Sequence, residues 1–358
     1  MRKKKIAIVG AGNAACITAL HYYYHGHDSF DITIYHNPIV PIERVGQGLT
    51  VGPTALIGSV LNLNWYNNSL DATFKSGFMY EGWGKKNEKI FHPFQLDKMA
   101  MHYSPHALSQ TVLKSGLFKV VEKDVRDPEK EIDADFIFDC RGRINRDPDL
   151  YEPLINPLNS VLLCSEVRES VYNPYTRGVA TPNGWAFVIP KANGNSYGYL
   201  YNNEITSRDD ACADFVDKLE VDNIDGEIDF ENYVAKNIFV GERTILNGNR
   251  AMFLEPLEAS AMDCYHSICK HIWDYIHGKR DKHGVNAEFR RIVKEAQNFV
   301  LWHYQFGSKY DTPFWKYAKS LPFKRDYRFN NMFRTKDLTE TYGFWVYPTF
   351  RIWKKYIS

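Results

Sequence analysis

The chain lacks the cysteine spacing of a disulfide scaffold or a zinc site. Its six cysteines, Cys16, Cys140, Cys164, Cys212, Cys264 and Cys269, are scattered over 358 residues with no CxxC pair. Free thiols in a reducing, cytoplasmic setting are therefore expected, and no metal ligand set is read from them. An excess of one charge is missing too: 44 Lys+Arg against 43 Asp+Glu leave a formal net charge of +1. No strong field would draw this chain to nucleic acid or to an anionic membrane surface. Long hydrophobic runs are absent, and no stretch approaches the length of a membrane span. There are no internal repeats or low-complexity segments, and 44% hydrophobic with 24% charged residues excludes a largely disordered chain. Aromatic side chains are abundant instead, with 8 Trp, 23 Tyr and 22 Phe, so an aromatic residue near a proposed site says little by itself.

The start Met1 to Lys5, followed by the apolar run to Leu20, mimics a secretory leader, but Gly10, Gly12 and Asn13 interrupt it in a pattern with another meaning. Residues 4–9 read as a short apolar strand, Gly10-Ala11-Gly12-Asn13-Ala14-Ala15 follows directly, and a small-residue helix continues to about Tyr24. A second strand is expected over Asp31–His36. This is a β-α-β unit in which Gly10 permits a tight turn, Gly12 and Asn13 open a helix N-terminus toward a pyrophosphate, and Ala14 and Ala15 allow close helix–strand packing. By itself the motif also fits a glycine turn without a ligand. Where the fingerprint expects an acidic residue for the ribose hydroxyls, the chain has His36, which reads either as a single acceptor or as a strand-end surface residue.

Asp135–Gly142 reads as a buried parallel strand ending in a tight turn, far downstream of the first unit, which favours a discontinuous flavin-binding domain. A strand is expected across Phe74–Trp83 and a helix across Ala107–Gly116. Alternating segments from 159 to 206, including Trp185–Pro190, predict an inserted antiparallel sheet. A strand over Ala251–Leu254 precedes mostly helical sequence. Phe289, Ile292, Val293, Ala296, Phe299, Val300 and His303 recur at three- and four-residue spacing, which marks one buried face of a helix over Ala287–Phe306.

Several separated segments stand in order: Asp71 to Phe78 around Lys75, Gly184 to Pro190, Phe253 to Ser260, Asn298 to Tyr304 and Asp311 to Trp315. With the glycine fingerprint they make the chain resemble the flavin-dependent halogenases of the tryptophan-halogenase family over about residues 5–318. The resemblance implies an α/β fold: an FAD-binding Rossmann-like domain of the glutathione-reductase type over 1–60, 100–145 and 236–284. It implies an inserted antiparallel β-sheet substrate domain over 61–99 and 146–235, and a C-terminal helical cap over 285–358.

The resemblance also implies roles. Lys75 would be the catalytic lysine, polarising hypohalous acid or forming a haloamine, and Glu258 would orient the acid or take the ring proton. Ser260 and Ala261 would hold halide at a helix N-terminus. Trp185, Phe187, Ile189 and Pro190 would separate the organic substrate from the flavin. Gly10, Gly12, Asn13, Ala14, Ala15, His36, Gln47 and Gly142 would contact FAD, reduced by a separate flavin reductase, with chloride, bromide or iodide as co-substrate and a small aromatic molecule as acceptor. Read without the resemblance, Lys75 is a solvated surface lysine, Glu255 and Glu258 are helix N-terminal acids that favour the dipole, and Trp185–Pro190 is a plain core strand.

The chain departs from the family pattern at several points. Phe187 replaces a second tryptophan, Gln47 stands where glutamate is usual, and the strand before Glu255 runs on without the usual small-residue turn. The helices that close over tryptophan are expected to be largely absent, so free tryptophan is not the expected substrate. A flavin-dependent aromatic hydroxylase and a non-catalytic flavin-binding protein are the competing readings. Oligomeric state is left open.

Overall fold

The computed structural model describes residues 2–84, 89–94, 99–142, 147–167 and 173–322. The part of the expected C-terminal cap beyond residue 322, with Trp345 and Trp353, lies outside them. In chain order the elements begin with β1 Lys4–Val9, α1 Asn13–Gly26, β2 Phe30–His36, β3 Gln47–Gly48, α2 Val51–Leu61, β4 Thr73–Lys75, β5 Gly77–Glu81, β6 Lys89–Pro93 and β7 Ala100–Tyr103. Next come α3 Pro105–Lys114, β8 Lys119–Glu122, α4 Pro128–Glu131, β9 Phe136–Asp139, β10 Tyr151–Pro153, β11 Ser160–Glu166, β12 Thr176–Thr181, β13 Gly184–Lys191 and β14 Gly194–Tyr201. The remainder is α5 Arg208–Leu219, β15 Gly226–Asp229, β16 Tyr233–Ala235, β17 Thr244–Leu246, β18 Met252–Phe253, α6 Ala261–Ile276, α7 Lys282–Phe306 and α8 Pro313–Ser320. Short 3-10 turns occupy Gly248–Arg250 and Leu257–Ala259.

A parallel five-stranded sheet, in the order β17-β9-β1-β2-β8, carries the glycine turn. Its strands are apolar because helices cover it: Ile6, Ile8, Ile34, Phe138 and Ile245 share one core with Ile17 and Leu20 of α1 and Ile268 and Ile272 of α6, as buried parallel strands require. A seven-stranded sheet in the order β15-β11-β14-β13-β12-β5-β6 stands beside it. It is antiparallel apart from the β12–β5 pair. Both faces of β13 are buried. Trp185, Phe187 and Ile189 join the core containing α7 and α8, while Ala186 and Val188 pack with α5 through Ala211 and Phe215.

Element edges depart from the sequence expectation where caps decide them. Ser104 accepts the Ala107 N–H and Pro105 occupies the first turn, so α3 starts two residues early. Asp281 accepts the Gly284 N–H at 2.7 Å, which starts α7 at Lys282 rather than Ala287. The expected strand Phe74–Trp83 is broken at Ser76, whose N–H and hydroxyl both bond the Pro174 carbonyl. The break puts Lys75 in the small sheet β3-β7-β4 and Phe78 in the large one.

Candidate functional site

A cavity of about 1000 Å³ runs from the glycine turn to the turn before α6. Gly10, Gly12, Asn13, Ala14, His36, Gln47 and Gly142 line one part, and Trp185, Phe187, Ile189, Glu258, Ala259 and Ala261 line another. Gly10 has φ +125°, and a β-carbon there would meet the Cys140 carbonyl oxygen at 2.6 Å, so only glycine serves. A β-carbon at Gly12, by contrast, would stand in open space. Gly12 caps α1 without a side-chain bond to its first turn, which leaves a cradle of N–H groups facing the cavity. That geometry fits the pyrophosphate of a dinucleotide flavin.

Ala14 packs against the Gly248 turn, where a β-carbon would come within 2.4 Å of its own, and Ala15 is buried behind it. Asn13 is held in place: its carbonyl oxygen accepts from the Tyr103 hydroxyl at 2.8 Å, and its amide donates to Gln47 Oε1 at 2.8 Å. The Gln47 amide in turn donates to Glu43 at 2.8 Å. Gln47 thereby ties the loop before β3 to the fingerprint helix. His36 is half-buried at the end of β2.

Lys75 is 1% exposed and lies behind the cavity wall. Its Nζ has no hydrogen-bond partner and sits 3.7 Å from the Phe78 ring centroid. Burial lowers its pKa to about 7, against the opposing pull of the Glu258 and Asp263 carboxylates. His102 beside it is also buried. It contacts the Thr176 hydroxyl at 2.9 Å and the Thr73 hydroxyl at 3.3 Å, and burial plus the Lys75 charge push its pKa well down, so it stays neutral. Pro190 does not reach the cavity; its carbonyl accepts the Thr73 hydroxyl at 2.8 Å and so braces the strand that carries Lys75.

Glu258 and Ala259 both adopt left-handed backbone, at φ 70° and 52°. The turn after β18 is thus made without glycine, by the acidic residue itself, at a cost of roughly 1–2 kcal/mol per residue. Glu258 is 2% exposed. One of its oxygens accepts the Tyr80 hydroxyl and stands 2.8 Å from His303 Nε2. His303 Nδ1 lies 2.8 Å from the Phe299 carbonyl, a contact that needs a hydrogen on Nδ1. Nε2 is thus the ring nitrogen that faces the Glu258 carboxylate. The other Glu258 oxygen is unpartnered.

Glu255, three residues earlier, is also buried and takes the Tyr304 hydroxyl; burial raises its pKa to about 8. Neither glutamate is a surface acid near a helix dipole. Ser260 starts α6 without bonding its first turn, and its buried hydroxyl has no partner. It lies off the cavity, whereas Ala261 lines it. Asp263 in that first turn accepts the Thr50 hydroxyl at 2.6 Å, and burial raises its pKa to about 6.

The structure thus brings Lys75, Glu258 and the α6 N-terminus toward one region and sets the fingerprint residues along the same cavity. Sequence reading missed Tyr80, Tyr304, His102, Thr50 and Asp263 as parts of the site. His303 gave a weak signal, as the one titratable residue on an apolar helix face.

The family model described as tryptophan halogenase matches residues 5–116 and 108–350. The tryptophan 6-halogenase of Streptomyces albogriseolus is 27% identical over 208 residues, 53% of this chain and 39% of that enzyme. The chain thus matches about two fifths of that relative's length. Among solved structures, a tryptophan 6-halogenase from Streptomyces toxytricini superposes with a TM-score of 0.80 at 16% identity, covering 98% of this chain and 90% of the other. A tryptophan C-6 flavin-dependent halogenase from taromycin biosynthesis reaches 0.81 at 17% identity, covering 99% and 91%. These two show the same fold.

Proposed function

This chain belongs to the tryptophan halogenase family, and from that premise we propose that it is a flavin-dependent halogenase acting on an electron-rich aromatic molecule through Lys75 and Glu258. The observation that carries the reading is the Lys75 ammonium, buried without a hydrogen-bond partner and balanced near neutrality beside a buried glutamate. A purely structural lysine would bring its charge to solvent or to a bonded partner.

Gly10, Gly12, Asn13, Ala14, His36, Gln47 and Gly142 would hold FAD, reduced by a separate flavin reductase, while Ala15, buried behind Ala14, would only pack the fingerprint helix. Bound reduced FAD, given oxygen and halide, supplies hypohalous acid. The α6 N-terminus would hold the halide at Ala261, which lines the cavity, with Ser260 behind it, where the first-turn N–H groups favour an anion. Trp185, Phe187 and Ile189 form an apolar wall that keeps the aromatic substrate from the flavin.

At Lys75 two balanced routes exist. The ammonium protonates the departing hydroxide of hypohalous acid, water leaves, the ring's electron pair takes the halogen, and Glu258 accepts the ring proton. Alternatively the neutral amine takes the halogen with loss of water and passes it to the ring. Near pH 7 both forms of Lys75 are populated. His303 and Tyr80 hold Glu258 in either case, and its second oxygen, which has no hydrogen-bond partner, is left to take the ring proton.

The test supplies reduced FAD from a generic reductase, oxygen, and chloride, bromide or iodide in turn to an indole and phenol panel, with mass spectrometry of the products beside Lys75→Ala. Halide-dependent mass shifts that vanish in the variant support the reading, and retained halogenation in the variant removes Lys75 from it. Hydroxylated products without halide would move the assignment to an aromatic monooxygenase, and flavin binding with neither product to a non-catalytic flavin protein.

A further inference from the structure

Dinucleotide folds of this type use an acidic side chain at the end of the second strand to accept the adenosine ribose hydroxyls. Here that position is His36, whose ring offers at most one acceptor nitrogen for two hydroxyls. A carboxylate stands on the neighbouring strand instead. β2 and β8 are parallel, with His36 directly opposite Glu122. Side chains at paired positions leave the same face of a sheet from backbones about 4.8 Å apart. The alternation along β8 agrees: Val120 and Glu122 line the cavity with His36, and Val121 does not.

The carboxylates around Glu122 are already engaged. Glu131 pairs with Lys123, Asp139 with Arg141 and Arg250, and Asp124 with Arg126. Glu122 is exposed, and no hydrogen bond or ion pair holds its carboxylate among the described residues. An unneutralised carboxylate at the rim of a site for a diphosphate would repel the ligand unless hydroxyl donors face it.

We propose that Glu122 supplies the ribose-binding carboxylate that the second strand lacks, accepting the hydroxyls of the adenosine ribose beside His36. The inference rests on the flavin-dinucleotide reading of the cavity.

The sign of a charge-removing variant is diagnostic. Removal of a mere surface charge would leave the affinity for an anionic dinucleotide unchanged or raise it. Removal of a ribose acceptor lowers it. Oxidised FAD and FMN are titrated into the purified chain and followed by flavin fluorescence, with wild type, Glu122→Gln and Asp124→Asn compared. Glu122→Gln is expected to weaken FAD about ten- to a hundredfold, the loss of charge-assisted hydrogen bonds. It should leave FMN, which has no adenosine, unchanged, and Asp124→Asn should leave both unchanged.

Displacement by ADP and 2′-deoxy-ADP adds a second readout: wild type should prefer ADP, and Glu122→Gln should bind the two alike. Glu122→Gln with wild-type or tighter FAD affinity, or an equal loss for FMN, overturns the inference. Wild type that binds no FAD overturns the flavin reading itself, and the inference with it. Absence of halogenation alongside the expected binding pattern would count against the halogenase reading only.

Discussion

Gly48 faces the Lys75 ammonium so closely that a β-carbon on residue 48 would stand 2.9 Å from Nζ, and 3.3 Å from the Thr176 hydroxyl. The atom in the way is the free end of a flexible side chain, so the clash is relieved by moving the ammonium rather than the backbone. Gly48→Ala should therefore fold with near wild-type stability yet lose product formation by about a hundredfold, since misplacement of a reacting group by an ångström is worth that much. Thermal unfolding and product yield measured together check it, and unchanged yield would mean that the position of Nζ does not matter.

Glu258→Gln and His303→Gln separate two functions of one contact. The first removes the proposed base and should cost about 10²–10⁴ in product formation. The second keeps a polar group opposite Glu258 but removes the imidazole that stands 2.8 Å from its carboxylate, and should cost less in rate than loss of the carboxylate while shifting the pH dependence of product formation. Flavin titration should be unchanged in both. Identical pH profiles for His303→Gln and wild type would show that the histidine merely fills space.

Lys75 links activity to stability. Its pKa near 7 lies below the ordinary value of 10.5, so between those limits the unfolded chain holds a proton that the folded chain lacks. Stability therefore rises with pH from about 7 toward 10, and the full burden of the buried charge is felt below 7. Lys75→Met should be inactive and more stable at pH 7 by roughly 1–4 kcal/mol, a gain that shrinks as pH rises. Denaturant unfolding of both proteins across that range is the measurement.

A histidine cluster away from the cavity should make stability sensitive to acid. The ring of His21, buried in α1, has neither nitrogen bonded, and it packs among His25, His266, Tyr22 and Trp273 with Lys270 nearby. Burial, then the neighbouring cations, hold His21 well below its ordinary 6.5, and His266 is lowered to about 3, again by burial first. The unfolded chain takes up these protons first, so stability is complete above about pH 6.5 and falls as pH drops below it. His21→Leu should flatten the fall in melting temperature between pH 7 and 5, while an equally steep fall would assign the acid sensitivity elsewhere.

Phe187 owes its place to a glycine. Gly198 lies opposite it on β14, and a β-carbon there would come within 2.2 Å of the Phe187 ring. Gly198→Ala should displace the ring, cost about 1–3 kcal/mol in unfolding experiments, and open the cavity wall that is proposed to part flavin from substrate. Unaltered stability would mean that the ring has room to move.

The elements legible in the sequence are those built from local pattern. The first β-α-β unit, the strand over Asp135–Gly142 and the apolar face of α7 follow from small-residue spacing and periodicity, and the structure places them as expected, with helix starts shifted by the Ser104 and Asp281 caps. Tyr80, Glu258 and His303 are a different case. They meet from a strand, a turn and a helix far apart in the chain, and no spacing rule connects them. The left-handed conformation of Glu258 and Ala259 was equally hidden, because neither residue type announces it.

The sheet that carries the glycine turn is finished late in the chain. Its outer strand Thr244–Leu246 pairs with Phe136–Asp139, and the α6 N-terminus follows only after that. During synthesis the first β-α-β unit leaves the ribosome long before the residues that cover its inner face. The nascent chain therefore holds an open, apolar sheet edge until the last third emerges. Ligand capture by the cavity is consequently a property of the completed chain, and folding helpers have a natural substrate in the intermediate.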